Sequence, residues 1–581
     1  MKRLSEPTSP AHALLLILLF VILSHVRIVW VRDGIWDDNA WLLSIYSTGS
    51  LGEYLQTGVA GMRRVPLTAL TYYFFSSHYH SPDNFYGLWH AIDALTLLAS
   101  PTVLYFIVLL VFRNRLLALL SGTCLVVFPL DYTVPFASNV NYRLGMLFGL
   151  VSIYMSLKAY AGDRLHIPSL VLALLSAVLS HSVFMESAVA LEPGRMALIG
   201  LLHYAKQPVL SQTLVFKTLR QSLPFLLACM PLVIYKMAFK PYGIYEGIYN
   251  FDPFFFLNFW DMAKATGHFL FLQWAMLLRH IDAAQTATYI MGVLAIGAAL
   301  VVLREIWRST SSQPAEAIGA VPRLEASIGR VAGIHVLAVA GVLILPPAIM
   351  FHAFSRPISW GANSSHAVLS QTGYAMLLAW VLYRGFQYAT NAATPKHWLM
   401  ATLCVFIGLG VFFNNLNTDM YLKSWTEQAR FWKAFTTRFP ALPDKATFFF
   451  DVNDNALYSD LRDYYEFEYQ LNLLYATSRS PAEFRSYRAY TASELTQTRG
   501  KTPHDLIESD VIERTTHLGR DRLQPSEFIV VHYRDGELLV NDEILKRYPE
   551  VPYRSWLTRG VPDLPPEKSY TFRTRMKGIP P

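Results

Sequence analysis

The chain has 581 residues, of which 53% are hydrophobic, 14% aromatic and only 16% charged. Soluble proteins carry about 25% charged residues, so this composition excludes an ordinary soluble enzyme. The net charge of +7 comes from Lys and Arg scattered between apolar runs, as orientation signals are, which argues against nucleic acid as a partner.

Taken in order, the chain opens with MKRLSEPTSP and then an apolar run, Ala11 to Trp30. That run is long for a signal peptide and lacks a small-residue cleavage pattern, so it reads as a retained span. Further apolar runs at 86–112, 116–132, 136–158, 167–184, 186–204, 221–239, 286–304, 331–352, 367–386 and 397–415 are near the roughly 20 residues that cross a bilayer. The total is about eleven. Cationic loops alternate with polar ones if the N-terminus is cytoplasmic. Arg113 and Arg115, Lys158 and Arg164, Lys206 with Lys217 and Arg220, Arg304 to Arg330, and Arg384 with Lys396 mark the inner side. An odd number of spans then places the C-terminal end outside. Cys124, Cys229 and Cys404 all fall in apolar runs, so no disulfide framework is expected.

Residues 254–279, FFFLNFWDMAKATGHFLFLQWAMLLR, are also apolar. A single crossing there would put the Arg304–Arg330 loop outside, against the charge rule. An amphipathic or re-entrant outer segment is the preferred reading, with Asp261, Lys264 and His268 on one helical face. A pair of ordinary spans is the alternative. From Asn417 onward charged residues become frequent and long apolar runs stop. WTEQARFWKAFTTRF reads as an amphipathic helix, ATFFFDV as a buried strand, and EFIVVHYRDGELLV as a strand pair about Asp535–Gly536. The expected fold is therefore an all-α polytopic membrane domain, residues 1–416, followed by an extramembrane α/β domain, residues 417–581.

The candidate chemistry lies in the outer loops. The first, about 31–85, holds adjacent carboxylates Asp37 and Asp38 and ends on Arg63 and Arg64 before Pro66. Two like charges so close raise one pKa, which suits a general base near neutral pH; alternatively, Asp38 caps a helix. Arg63, Arg64 and Arg143 sit on the side where arginine is not expected, and guanidinium is the best side chain for a phosphate. Interfacial anchoring or pairing with the acids is the plainer reading. The loop FPLDYTVPFASNVNYR adds Asp131 and Asn141 beside Arg143, and HSVFMES adds His181 and Glu186. Ionisable groups at that depth are functional by default, and a His–Asp–Glu set also admits a divalent cation, although this spacing is not diagnostic of one. His90 and Asp93 lie one helical turn apart near the outer end of the second span, and pairing with each other is their plainer reading. The loop SRPISWGANSSH contributes Arg356.

WDDNAW followed by Arg64-Val65-Pro66, then FYGLWHAIDAL, FPLDYTVPFASNVNYRLGMLFGL and SHSVFMESAVAL, together resemble the GT-C superfamily of glycosyltransferases. The likeness is to its protein O-mannosyltransferase and aminoarabinose-transferase branch. It covers residues 10–200 by motif and the remainder by layout. The last motif is usually written Lys-Glu in that branch; here it is Met185-Glu186, so the lysine's role is vacant or passes to another group such as His181. The resemblance implies a GT-C-like membrane enzyme acting at the outer bilayer face, in a bacterial inner membrane with a periplasmic C-terminal domain. The donor would be a sugar on a polyprenyl phosphate, and the acceptor a glycan, lipid or protein. It gives Asp37 the role of catalytic loop carboxylate, Asp38 that of the acid after it, and Arg64 and Arg143 that of donor-phosphate contacts. A ligase or polymerase of lipid-linked glycans, a lipid or glycan transporter, and an inactive carrier-binding relative are the other functions compatible with this layout.

Overall fold

A computed structural model of the chain describes residues 10–30, 82–128, 130–136, 139–162, 164–206, 208–238, parts of 260–275, 276–311, 322–353, 361–391 and 397–443. Beyond these it describes the shorter segments 446–452, 464–475, 487–491, 512–516, 519–523, 528–534, 537–540 and 550–552.

The helices of the first part are α1 (Pro10–His25), α2 (Pro82–Phe112), α3 (Arg115–Val127), α4 (Val140–Ala161), α5 (Ile167–Val178), α6 (Glu192–Lys206), α7 (Gln212–Leu227), α8 (Met230–Ala238), α9 (Thr286–Ser311), α10 (Pro322–Ala353), α11 (Gln371–Asn391) and α12 (His397–Arg438). Among the described residues, seven helices are long and apolar enough to cross a membrane. They coincide with the expected spans beginning near residues 11, 86, 136, 167, 286, 331 and 397, and this is the profile of a multi-pass membrane protein. The other expected spans fall on helices that are short (α3), broken (α7 and α8, parted at Ala228–Cys229) or more polar (α6 and α11).

Local chemistry sets the turns. Asn114 caps α3 by accepting from Leu117 N at 2.9 Å, and Arg113 before it takes a left-handed φ of 52°. Those two residues reverse the chain between α2 and α3. Ser211 caps α7, and His166 caps α5 ahead of Pro168. Glycines bring helices together where a Cβ could not fit. A Cβ on Gly410 of α12 would meet Val127 O of α3 at 2.3 Å, and one on Gly373 of α11 would meet Ala340 O of α10 at 2.5 Å. Gly410→Ala is expected to destabilise the bundle by roughly 1–3 kcal/mol, because backbone rather than a movable side chain must give way. Gly297→Ala, where a Cβ meets nothing within 4 Å, is the control and should be neutral or slightly stabilising. Thermal unfolding of the purified protein in detergent compares the two.

Contacts fix the direction of each helix. Ser152 and Ser180 bond back across the α4–α5 hairpin to Ala173 O and Gly145 O, an antiparallel pairing. α11 runs antiparallel to α3, through Gln371–Leu125 and Asn114–Tyr383. α9 runs antiparallel to α12, through Thr288–Asp419 and Gly292–Phe412. α1 is parallel to α3, through Ile17–Gly122 and His25–Val126. α2 is parallel to α4, through Asp93–Arg143 and Phe106–Tyr154. α8 packs against the Leu179–Phe184 turn, and the start of α9 lies beside Asp419. Most of 254–279, including His268, lies outside the described residues.

The last helix differs from expectation. The sequence places the end of the membrane part at residue 416, and α12 runs through that point unbroken, 42 residues in all, roughly 63 Å at 1.5 Å per residue. That is about twice a hydrocarbon core, so the apolar span and the amphipathic segment after it are one rod. The far end of α12 carries Phe431, Trp432 and Phe435, with Phe439 just past it. These rings pack against Phe448 and Phe450 of β2 (Thr447–Val452) and Phe467 of α13 (Tyr464–Tyr475). With β1 as Ala441–Pro443, the remaining strands are β3 (Arg488–Thr491), β4 (Ile512–Thr516), β5 (Gly519–Leu523), β6 (Phe528–Arg534), β7 (Glu537–Val540) and β8 (Glu550–Pro552). One four-stranded sheet has the order β3-β2-β6-β7, with β2 parallel to both its neighbours and β6–β7 antiparallel. The expected strand at 446–452 and strand pair at 527–540 are both present. Asn472 of α13 holds β3 in place, accepting from Tyr487 N and donating to Tyr487 O.

Candidate functional site

Burying charge in an apolar bundle is costly unless it is paired, so buried ions show where the sequence has spent stability. Among the described residues they gather in three groups, and the helix directions place all three toward the same end of the bundle.

The first group is built on Arg143, at the start of α4 and 2% exposed. Its Nε donates to Asp93 Oδ1 of α2, and its Nη1 donates to Asp131 Oδ2 at 2.5 Å. Nη2 points at the carbonyls of Val134 and Phe136, 3.4 Å from each. Asp131 also accepts from Thr133 N at 2.8 Å and from its hydroxyl, so the carboxylate folds its own loop around the guanidinium. That loop is pinned further by Tyr132 N donating to Ser364 Oγ and by Asn417 Nδ2 donating to Tyr132 O. A cavity of about 20 Å³ abuts the ions, lined among others by His25, Ser100, Asp131, Arg143 and Asn414. It has polar groups in a largely apolar lining and is large enough for one water.

The structure thus brings Asp131 and Arg143 together as expected, but in another role. Every nitrogen of Arg143 faces protein, which leaves no face for a donor phosphate in this conformation. The expected His90–Asp93 pair does not form, because Asp93 takes the guanidinium as its partner. The ring nitrogens of buried His90 have no hydrogen-bond partner among the described residues.

The second group centres on His181. Residues Leu179–Phe184 form a π-helical turn closed by Met185 N donating to Ser180 O. Such wider turns re-aim side chains and recur at functional sites. Here Ser180, His181 and Ser182 are all buried. His181 Nε2 lies 2.9 Å from Glu192 Oε1, and Arg195 grips both oxygens of Glu192 at 2.8 and 2.9 Å. The guanidinium also lies 4.0 Å over the Phe225 ring, a cation–π contact. Glu186, expected beside His181, instead opens a 3₁₀ turn, Glu186–Leu191, and is half-buried. Asn141 Nδ2 reaches Phe184 O only at 3.5 Å.

The third group lies where α1 ends. Arg27 donates to Thr288 Oγ1 at 2.8 Å and Gln285 Oε1 at 2.7 Å, and pairs with Asp419 at 2.5 Å. Asp419 in turn accepts from Gln285 N at 2.8 Å. Nearby, the exposed Asp282 pairs with Lys423 at 2.5 Å. That ammonium holds the Asp282 carboxyl below its usual range, and at such exposure the pair adds little stability.

Arg27, Asp419, Glu192 and Arg195 were not singled out from the sequence. For Glu192 and Arg195 the signal was available: an acid and a base three residues apart inside an apolar run. Lys264 is exposed and lies 5.6 Å from the Trp260 ring. Asp37, Asp38, Arg63, Arg64, His268 and Arg356 lie outside the described residues. Among the described residues, no group of three His, Cys, Asp or Glu side chains is placed to hold a metal ion.

In comparisons with protein-family models, with curated proteins and with solved structures, nothing matches the chain.

Proposed function

We propose that this protein is an inverting membrane glycosyltransferase that moves a sugar from a polyprenyl-phosphate carrier to a glycan, lipid or protein acceptor at the outer face of a bacterial inner membrane. One observation carries the reading most. The described elements on either side of residues 31–81, the Val26–Trp30 turn and the start of α2, both lie toward the bundle end that bears the buried ion groups. In this reading the acidic pair and the two arginines of that stretch work beside the buried charge of the bundle. In this reading about eleven helices cross the bilayer, the N-terminus is cytoplasmic, and the sheet-bearing end is a periplasmic α/β domain that recognises the acceptor.

The chemistry fits the residues. Polyprenyl phosphate is a good leaving group and needs its developing charge stabilised more than it needs a proton; Arg63 and Arg64 supply that charge. The acceptor hydroxyl or amine needs a base, which Asp37 supplies, with Asp38 beside it raising its affinity for the proton. A single displacement inverts the anomeric carbon, and one base with a cationic clamp suffices, unlike the two flanking carboxyls of a glycoside hydrolase.

The test is transfer itself. Full-length protein in proteoliposomes is given a panel of labelled polyprenyl-phosphate sugars, hexose and aminopentose among them, together with a membrane glycolipid fraction as acceptor. Protein-dependent movement of label off the carrier is the expected result. Failure with every donor would overturn the reading and favour a transporter.

A further inference from the structure

The opposite end of the bundle carries a second feature. There α2, α4 and α6 splay to leave a cleft of about 370 Å³, within the usual range for ligand pockets. It is lined by Phe106, Leu109, Leu110, Tyr154 and Leu202 along its wall, and by Arg113, Lys158 and Lys206 at its rim. Among the described residues, no Asp or Glu lines it. Phe112, the last residue of α2, lies nineteen residues beyond Asp93, roughly 28 Å at 1.5 Å per residue. That is close to the thickness of a hydrocarbon core, so the cationic rim sits about one core thickness from the buried ions.

The three cations are exposed and come from three different helix ends. Lys206 Nζ donates to Gly162 O at 3.3 Å, which brings its ammonium across the mouth; an ammonium carries three N–H donors, and this bond uses one. Lys158 lies 6.0 Å from the Tyr154 ring, alongside the wall. Arg113 occupies the left-handed backbone position, φ 52°, that a non-glycine residue adopts at a cost. An orientation signal alone requires cations near the surface; it does not require a shared apolar cleft.

We propose that this cleft is a binding site for a diacyl phospholipid with an anionic phosphate headgroup. The phosphate sits among Arg113, Lys158 and Lys206, and one acyl chain runs along the Phe106–Leu110 wall. The bound lipid ties together the ends of α2, α4 and α6. This site is distinct from the donor site proposed above and stands whether or not the chain transfers sugar.

The test is native mass spectrometry of the full-length protein taken from vesicles of equal parts phosphatidylglycerol and phosphatidylcholine. The wild type should retain phosphatidylglycerol at least several-fold over phosphatidylcholine. Each cation close to an anionic headgroup contributes about fivefold, so the triple variant Arg113→Gln, Lys158→Gln, Lys206→Gln should lose about a hundredfold in affinity. The double variant Lys217→Gln, Arg220→Gln, at the same end but outside the cleft, should retain the lipid. Millimolar inorganic phosphate should not displace it, because phosphate lacks the chain that the wall accepts. Equal retention of the two lipids by the wild type would overturn the site, and that measurement needs no variant to fold. Equal loss in the double variant, or displacement by phosphate alone, would overturn it as well.

Discussion

Asp37→Asn is expected to lower sugar transfer by roughly 100- to 10,000-fold, the range that general acid–base catalysis contributes, while leaving the donor's apparent affinity within a few fold of wild type. Asparagine keeps the size and most of the hydrogen-bonding of the carboxylate but cannot take the acceptor's proton. Asp38→Asn should cost less, since the neighbour acts by raising the proton affinity of Asp37 rather than by touching the acceptor. Arg64→Gln should fall on the other side of the chemistry, reducing transfer by weakening stabilisation of the departing phosphate. Initial rates against donor and against acceptor, with both aspartate variants in the same membranes, separate these roles. If Asp38→Asn shows the larger loss, the two carboxylates exchange roles. Wild-type transfer in both would remove the base from this loop altogether.

The bundle was legible because its signal is physical and repetitive. Apolar runs long enough for a bilayer, punctuated by Arg113, Lys158 and Arg304, mark helices wherever they occur. The strand at 447–452 and the pair at 528–540 were legible for a similar reason, as short apolar stretches bounded by turn residues. What escaped was the pairing of charge across sequence distance. Arg27 and Asp419 are 392 residues apart, and nothing local in either segment names the other; only the packing of α1 against α12 does. The change in composition at Asn417 concealed Asp419 further, because it set a domain boundary inside a continuous helix. For Asp93 the sequence offers a local partner and the structure a distant one. One helical turn suggests His90, whereas the parallel packing of α2 on α4 presents Arg143 instead. Periodicity reports which face of a helix is apolar and is silent about which polar residue on a neighbouring helix shares its level.

The Arg143 group gives the sharpest contrast between the two kinds of reading. From the sequence, Arg143 resembles a donor-phosphate contact. In the structure it neutralises two carboxylates, Asp93 and Asp131, that are 1% and 3% exposed. Arg143→Ala removes the only cation the structure gives that pair among the described residues, leaving two buried acids adjacent to each other. Breaking a buried ion group from one side costs roughly 3–5 kcal/mol, and the expected result is a large fall in the unfolding midpoint of the detergent-solubilised protein. Arg143→Lys keeps a charge but loses the planar fork that reaches both carboxylates at once, so it should fall between. Removing all three charges together, with Arg143→Met, Asp93→Asn and Asp131→Asn, should recover much of the loss, because the penalty lies in the stranded acids. A phosphate-contact role makes the opposite forecast: Arg143→Ala would weaken donor binding, leave the unfolding midpoint near that of wild type, and gain nothing from the two aspartate changes. The triple variant therefore decides whether Arg143 holds the donor or holds the loop that carries Asp131.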